Sequence, residues 1–430
     1  MPRGTRRLSG MFQESNSQQR SSSANLREHY AKHHASAAIK RGTLLGVGAE
    51  GVVYDAALLV PGKKAGSIET HACVVKEPKN HIIQPAELAT HLLLTQNELS
   101  SEACGLLLIL GIIENCVLLP KCEAILSSWL PEKINTLRDN HKNIFCHVVY
   151  NLFSSMVRGL QTLSKHDVIH GDIKPANIFF RNGYFGLLDF GAAKNRADVS
   201  SSARLDGTAG YFAPEVICRD SAGISNAADI FAVGQVLLQL LGEPMKFKHD
   251  VAHTMIFYAG EAYQTERAQH PYDASQNARF QIEMRDTLKK QIDFVSCLKW
   301  AATMMTDILP ERRPNLETLK HIEAFLLRHL PTINRAELSP TYIRLCMPVI
   351  SPQHVPFFGN RGGSTIFDAT PMASSRFAAK APEPLEAAKL VSVAAHDKPT
   401  SLFDSPNKES VLVSPGSFCG LSAPTTPASS

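Results

Sequence analysis

The sequence lacks the features that would place it in a membrane, a disulfide framework or a preformed zinc site. Its longest apolar run, GLLLILGII at 105–113, is about half the length that crosses a bilayer. The opening MPRGTRRLSGMFQESNSQQRSSSAN holds no apolar core of the kind a secretory leader carries. Nine cysteines are scattered along 430 residues without a C-x-x-C pair. An odd, unclustered set argues against both a disulfide framework and zinc spacing, and fits a reducing compartment. No internal repeat is visible. These absences together lead us to expect a soluble, intracellular (cytoplasmic) chain.

With 44% apolar residues, the chain has enough material for one large two-lobed domain or two ordinary ones. Charge is uneven. Residues 1–40 hold seven Lys or Arg against two Glu, a balance of +5, whereas the whole chain is +4, so residues 41–430 sum to −1. The basic tail, rich in Ser and Gln, reads as a solvated arm; the sharper reading is weak contact with anionic lipid, nucleic acid or a partner, and no stable nucleic-acid binding is expected. Residues 332–430 hold twelve of the 25 prolines with no sustained period of 2 or 3.6, and read as mostly disordered. Between the tails, apolar strands and turns run from about 41 to 122, followed by helical spacing in NLFSSMVRGLQTLSKH (151–166) and ADIFAVGQVLLQLL (228–241). A strand-rich lobe thus precedes a helix-rich one.

The strand-rich part opens on LLGVGAEGVVYDA, in which Gly46, Gly48 and Gly51 form G-x-G-x-x-G, with Val53 following. Glycine lets backbone N–H groups approach phosphate oxygens without a Cβ in the way. A plain hairpin turn or a dinucleotide fold uses the same spacing. VVYDAALLV and HACVVKEP continue as strands rather than as a helix, which favours a β-hairpin lid over phosphates. Lys76 ends the apolar strand ACVVK beside that lid. A helix candidate at about 84–97 carries Glu87, able to meet Lys76 across the lobe, with Glu98 as the alternative. GLLLILGIIENCVLLPKC reads as two strands around Glu114 and Asn115, leaving Pro120 to Cys122 as a connector that offers backbone groups to an adenine edge.

VIHGDIKPANIFF, at 168–180, places an acid, a lysine and an amide at short spacings between two apolar runs. Asp172 has the chemistry to accept or orient a hydroxyl proton, Lys174 to balance charge on a transferring phosphoryl group, and Asn177 to bind Mg²⁺. LDFG at 188–191 adds Asp189 as a second oxygen ligand, with Gly191 permitting the turn after Phe190.

These stretches, with GTAGYFAPE (207–215), ADIFAVG around Asp229 and Gly234, and PERRP with Arg313, follow one another in an order that resembles the eukaryotic-type protein kinases. The resemblance covers roughly residues 38–330. It implies an α+β, bilobal protein kinase fold: a basic tail at 1–37, an N-lobe at about 38–121, a C-lobe at about 122–330 and a Pro/Ser/Ala-rich tail from 331. It also implies ATP and Mg²⁺. Lys76 would serve the α and β phosphates, Asp172 the base role, and Asn177 and Asp189 the magnesium. The loop from Leu45 and Gly46 through Val47, Gly48, Ala49, Glu50 and Gly51 to Val53 would cover ATP. Glu215 looks like the partner of Arg313, His170 and Phe190 like packing residues, and Asp229 like a brace on the catalytic loop. Lys174 together with Thr208, which would bridge Asp172 and Lys174, looks like the serine/threonine branch, with protein Ser/Thr hydroxyls as acceptors.

Two positions depart from the family. Gly171 stands where an arginine usually receives an activation-loop phosphate, so activity is expected to depend little on phosphorylation of Ser200, Ser201 or Ser202; Lys194, Arg196 and Arg204 are the cations left nearby. The HGD that results also resembles small-molecule phosphotransferases, and a pseudokinase scaffold acting through its tails is the third reading. His91 stands where the family places an aliphatic residue. In the tails, Arg6 and Arg7 precede Ser9, and Pro follows Ser339, Ser351, Thr370, Ser405, Ser414 and Thr426, a pattern open to proline-directed modification. Polar ends and an unusual loop would suit a secreted effector or a viral kinase acting in a host cell.

Overall fold

In the computed structural model, residues 27–333 are described, apart from 29, 33–35, 49–50, 63–65, 81, 99, 197–206, 221–224 and 249–251. They fall within one compact unit. The tail motifs at Ser9 and beyond 333 lie outside them, as do Ser200–Ser202 and Arg204.

Stretches rich in apolar and β-branched residues form three long strands, β1 (Ala38–Val47), β2 (Gly51–Pro61) and β3 (Ile68–Pro78). On β2 the buried side chains are Ala56, Leu58 and Val60, two apart, and on β3 they are Cys73 and Val75, so one face of the sheet carries its core. Two shorter strands, β4 (Gly111–Ile113) and β5 (Cys116–Pro120), are joined through Glu114 and Asn115. Both turn residues have positive φ, 52° and 59°, as a tight hairpin turn requires. The antiparallel sheet runs β1-β2-β3-β5-β4.

Helix α1 (Pro85–Asn97) starts on a proline whose missing N–H costs nothing there. It buries Glu87, Thr90, His91 and Leu94, spaced i, i+3, i+4 and i+7 on one face. Three of these four are polar, so the helix turns a chemical face inward rather than a greasy one. Leu94 joins the large core of the helical region.

That region is organised by α2 (Lys142–Lys165) and α3 (Asn226–Leu241). Along α2, Phe153, Met156, Leu160 and Leu163 are buried on a helical period. Ser225 caps α3 by accepting from Ala227 N, and Gly242, at φ 73°, closes it. Next come α4 (Ala252–Gln269), α5 (Ala274–Leu288), α6 (Phe294–Met305) and α7 (Leu316–Arg328). No helix among the described residues is long and apolar enough to cross a membrane.

The domain was expected to begin at residue 38, but packing starts earlier. A helical turn at residues 27, 28 and 30–32 puts Tyr30 into the sheet's core with Leu58, Cys73, Val75, Leu110 and Leu118. Its hydroxyl donates to Ile112 O at 2.9 Å. The ring fits because residue 111 is glycine: a Cβ there would lie 1.9 Å from Tyr30 Cε1. A single aromatic in a polar stretch has no period, so sequence patterning passed over it.

Candidate active site

The catalytic-loop candidates are brought together by small pieces of sheet. Strand β6 (Ala124–Ile125) pairs with β8 (Ile178–Arg181), and β7 (Val168–Ile169) pairs with β10 (Lys194–Asn195). The hairpin of β8 with β9 (Tyr184–Leu187) turns through Asn182 and Gly183. Closing that hairpin sets Leu188 N on Asn177 O at 3.0 Å, so Asn177 and Asp189 become neighbours.

Within the loop, Lys174 Nζ donates to Asp172 Oδ2 at 2.7 Å and to Thr208 Oγ1 at 2.6 Å. Lys174, and not Thr208, is therefore the bridging group. Asn177 Nδ2 donates to Asp172 O at 2.9 Å and to its Oδ2 at 3.0 Å. Neither bond uses the Asn177 carbonyl oxygen. Asp172 Oδ1 is buried without a partner, an acceptor with unspent capacity in the middle of the site.

Asp229, at the start of α3, braces this loop from below. Its Oδ2 accepts from His170 N at 2.8 Å and its Oδ1 from Gly171 N at 3.0 Å. Burial pushes this carboxyl up from its ordinary value, while His170 and the two backbone donors oppose the shift. Gly171 has φ 78°, and a Cβ there would stand 2.9 Å from Ala192 O. Both facts call for glycine at this position. His170 takes Asp172 N on Nδ1 at 3.4 Å and faces Leu188 O with Nε2 at 3.2 Å, a pair of contacts met by the tautomer protonated on Nε2.

From the sheet, Lys76 lies opposite Val53 and reaches Glu87 Oε1 at 2.5 Å and Asp189 Oδ1 at 2.9 Å. Burial alone would lower the ammonium's pKa; the carboxylates of Asp189 and Glu87 outweigh it and hold it above the ordinary lysine value. Burial likewise works against ionised Glu87 and Asp189, yet both stay below the usual carboxylate range, Glu87 through His91 and Lys76 and Asp189 chiefly through Lys76. Asp189 takes φ 69°, a left-handed conformation costing a non-glycine residue on the order of 1–3 kcal/mol. Glu98, the alternative partner, closes α1 elsewhere: its Oε1 accepts from Lys165 Nζ and His166 Nε2, both at 2.8 Å.

His91 fixes the register of α1. Its ring meets Phe190 edge to face at 5.2 Å between centroids, and Phe190 in turn lies 5.4 Å from His170. The three rings join α1, the turn after Asp189 and the catalytic loop in one column.

At the glycine-rich hairpin, Gly48 N donates to Gly51 O at 2.8 Å. Leu45 and Val47 are exposed; Ala49 and Glu50 lie outside the described residues. A Cβ at Gly51 would stand 2.5 Å from Glu77 O, so β3 admits only glycine there. Pro120 pairs with Cys73 across the sheet, and the Cys122 thiol donates to Pro120 O at 3.7 Å, at the connector expected to face adenine.

The 207–215 segment is held by groups the sequence had not singled out. Gln235, on the buried side of α3, donates from Nε2 to Gly210 O at 2.9 Å and to Lys246 O at 3.0 Å, and Tyr211 Oη meets Gln239 Oε1 at 2.8 Å. An amide in the apolar run FAVGQVLLQLL was the available signal. Arg313 donates to Glu215 from both terminal nitrogens, at 2.6 and 2.8 Å, with both side chains fully buried.

Residues 122–321 match the family model described as protein kinase domain, starting where the helical region begins. Over those residues the chain matches a protein kinase domain, and a strand-rich sheet followed by a helical region is the α+β architecture of that fold. It is similar to mitogen-activated protein kinase kinase kinase 2 of Arabidopsis thaliana, 32% identical over 47% of this chain and 31% of that protein. It is also similar to mitogen-activated protein kinase kinase kinase 5 of Homo sapiens, 30% identical over 31% of this chain and 10% of the relative. A third relative, a probable serine/threonine-protein kinase pknA2 of Bifidobacterium longum, is 36% identical over 23% of this chain and 13% of its own length. The matches thus span less than a third of these relatives.

Proposed function

We propose that the chain is an ATP-dependent serine/threonine protein kinase, with its catalytic domain at about 38–330 and the 27–32 segment packed on it. The observation that carries this reading is the convergence of Lys76, from the sheet, and Asp189, from the helical region, at 2.9 Å across 113 residues of sequence. Beside it stand Asp172, whose buried Oδ1 has no hydrogen-bond partner, and Asn177, which meets Asp172 through its side-chain nitrogen.

These residues fit a nucleotide and its magnesium. Lys76, kept cationic by its two carboxylates, would hold the α and β phosphates under the hairpin Gly46–Val53. Asn177 and Asp189 would hold Mg²⁺, an ion suited to oxygen ligands completed by phosphate. When bound, the metal supplies positive charge that neutralises the charge developing on the phosphoryl group. Pro120 and Cys122 would frame the adenine.

For transfer, Asp172 orients the acceptor hydroxyl and takes its proton as the oxygen bonds to the γ-phosphorus and the bond to the leaving β-phosphate oxygen breaks. Lys174 balances charge on the phosphoryl group while Thr208 holds Lys174 in place. The Lys174–Thr208 bond supports the serine/threonine branch, since it fixes the 207–215 segment beside the base. Gly171 offers no cation to an activation-loop phosphate, which supports activity without that modification. No disulfide joins the seven described cysteines.

The test is a radiolabelled ATP assay on the full chain with serine, threonine and tyrosine acceptor peptides and with choline and aminoglycosides. Label on serine or threonine, lost in Lys76→Ala, Asp172→Asn and Asp189→Asn, is expected. Label on small molecules alone would identify a small-molecule phosphotransferase, and no label with intact folding would identify a scaffold. A residual rate within about threefold of wild type in the variants, worth only ~0.7 kcal/mol of barrier, would overturn the assigned roles.

A further inference from the structure

The segment carrying Arg27 and Tyr30 lies outside the region matched to the family, yet it touches both halves of the machinery. We propose that it is a strap that positions α1, and through α1 the Glu87 carboxylate on Lys76, so that Arg27 and Tyr30 are positioning residues for phosphoryl transfer. The inference rests on the kinase reading above.

Six contacts carry it. Arg27 Nη2 donates to Glu98 O at 3.0 Å, the residue immediately after α1. The last turn of α1 has no basic side chain of its own, so its carbonyl end, where positive charge is favoured, receives a cation from another segment. Tyr30 pins the same segment to β4 through its buried ring in the slot left by Gly111 and through its bond to Ile112 O. Glu98 then faces the other way: its carboxylate takes both Lys165 and His166 at the end of α2, and His166 lies six residues before Asp172. The next residue, Asp167, accepts from Arg196 N at 2.7 Å beyond Asp189.

Glu98 is therefore a junction of three elements: strap, α1 and the approach to the catalytic loop. Glu87 stands eleven residues back along α1, a rigid lever that converts a shift at Glu98 into a shift at Lys76. Removing Arg27 frees one end of that lever without touching any group placed at the nucleotide or the acceptor.

The experiment compares the full chain with Arg27→Ala, Arg27→Lys, Tyr30→Ala and Tyr30→Phe, reading kcat and KM for peptide, melting temperature, and amide hydrogen exchange across residues 85–97. For Arg27→Ala we expect kcat to fall about tenfold with KM for peptide nearly unchanged, the pattern of a lost transition-state interaction. Exchange in 85–97 should quicken by about tenfold while the melting temperature holds. Arg27→Lys should recover much of the rate by restoring a cation at the helix end. Should Tyr30→Ala fail to fold, Tyr30→Phe, which removes only the hydroxyl, and Arg27→Ala decide the matter. A kcat within about twofold of wild type and unaltered exchange in 85–97 for Arg27→Ala would overturn the strap. If the wild-type chain transfers no phosphoryl group, the kinase reading falls, and the exchange measurement still tests whether Arg27 restrains α1.

Discussion

The His91 imidazole stands edge-on to the Phe190 ring at an interplanar angle of 83°, with Nδ1 buried and without a hydrogen-bond partner. A buried orphan nitrogen costs about 1–3 kcal/mol, against roughly 0.5–1.5 kcal/mol for an aromatic pair. His91→Leu should therefore keep or raise stability, by about 2–4 °C in melting temperature for each kcal/mol gained. A fall of several degrees would mean that the ring contact is the larger quantity.

The Lys76 cluster sets the acid limit of the sheet's attachment to the helical region. Glu87 and Asp189 are held below ordinary carboxylate values. Their contribution is present above the unfolded value, about 4, and is lost as pH falls through the depressed folded values. Lys76 is shifted upward, so its own share persists to alkaline pH, fading only above the unfolded lysine value of about 10.4. The stability difference between wild type and Lys76→Met should be flat from about pH 5 to 9 and shrink below about pH 4. Denaturant titrations at several pH values would show it, and a difference that changes between pH 6 and 8 would contradict it.

Gly171→Ala should destabilise the chain by about 1–2 kcal/mol for the left-handed conformation alone, with a further loss because Ala192 O must move. By contrast, phosphatase treatment should leave kcat/KM within about threefold of the untreated enzyme. A tenfold fall on dephosphorylation would show that another cation serves in place of the missing arginine.

Asp229→Asn should separate rate from stability. One of the two donors, His170 N or Gly171 N, would lose its acceptor and face an NH₂ group, at a cost of about 1–3 kcal/mol, while the burial cost of a carboxylate is relieved. We expect a small change in melting temperature and a fall in kcat of about tenfold or more. Equal losses in both would show that the brace is part of the core alone.

Much of the site was legible because its chemistry lies in short continuous stretches. Asp172, Lys174 and Asn177 share one loop, and Asp189 follows the hairpin that this loop opens. The choice between Glu87 and Glu98 was not legible. The buried stripe of α1 is mostly polar, so hydrophobic period could not set its rotation; only the Lys76 bond and the Phe190 contact do. Strands β1 to β3 and helix α3 followed their patterns, whereas α2 begins at Lys142, nine residues before the apolar spacing drew notice. Tyr30 and Gln235 escaped for a shared reason. Each works through tertiary contacts that leave no periodic trace in the sequence around it.

The buried pair of Glu215 and Arg313 joins residues 98 positions apart. A carboxylate with its surroundings dry and its partner missing is among the costliest arrangements a protein can adopt. During synthesis Glu215 leaves the ribosome well before Arg313 exists, so the platform it anchors cannot close on itself early. The helical region must stay open around Glu215 until nearly all of it has been made. A polypeptide stopped short of residue 313 would leave Glu215 without its partner in a dry interior.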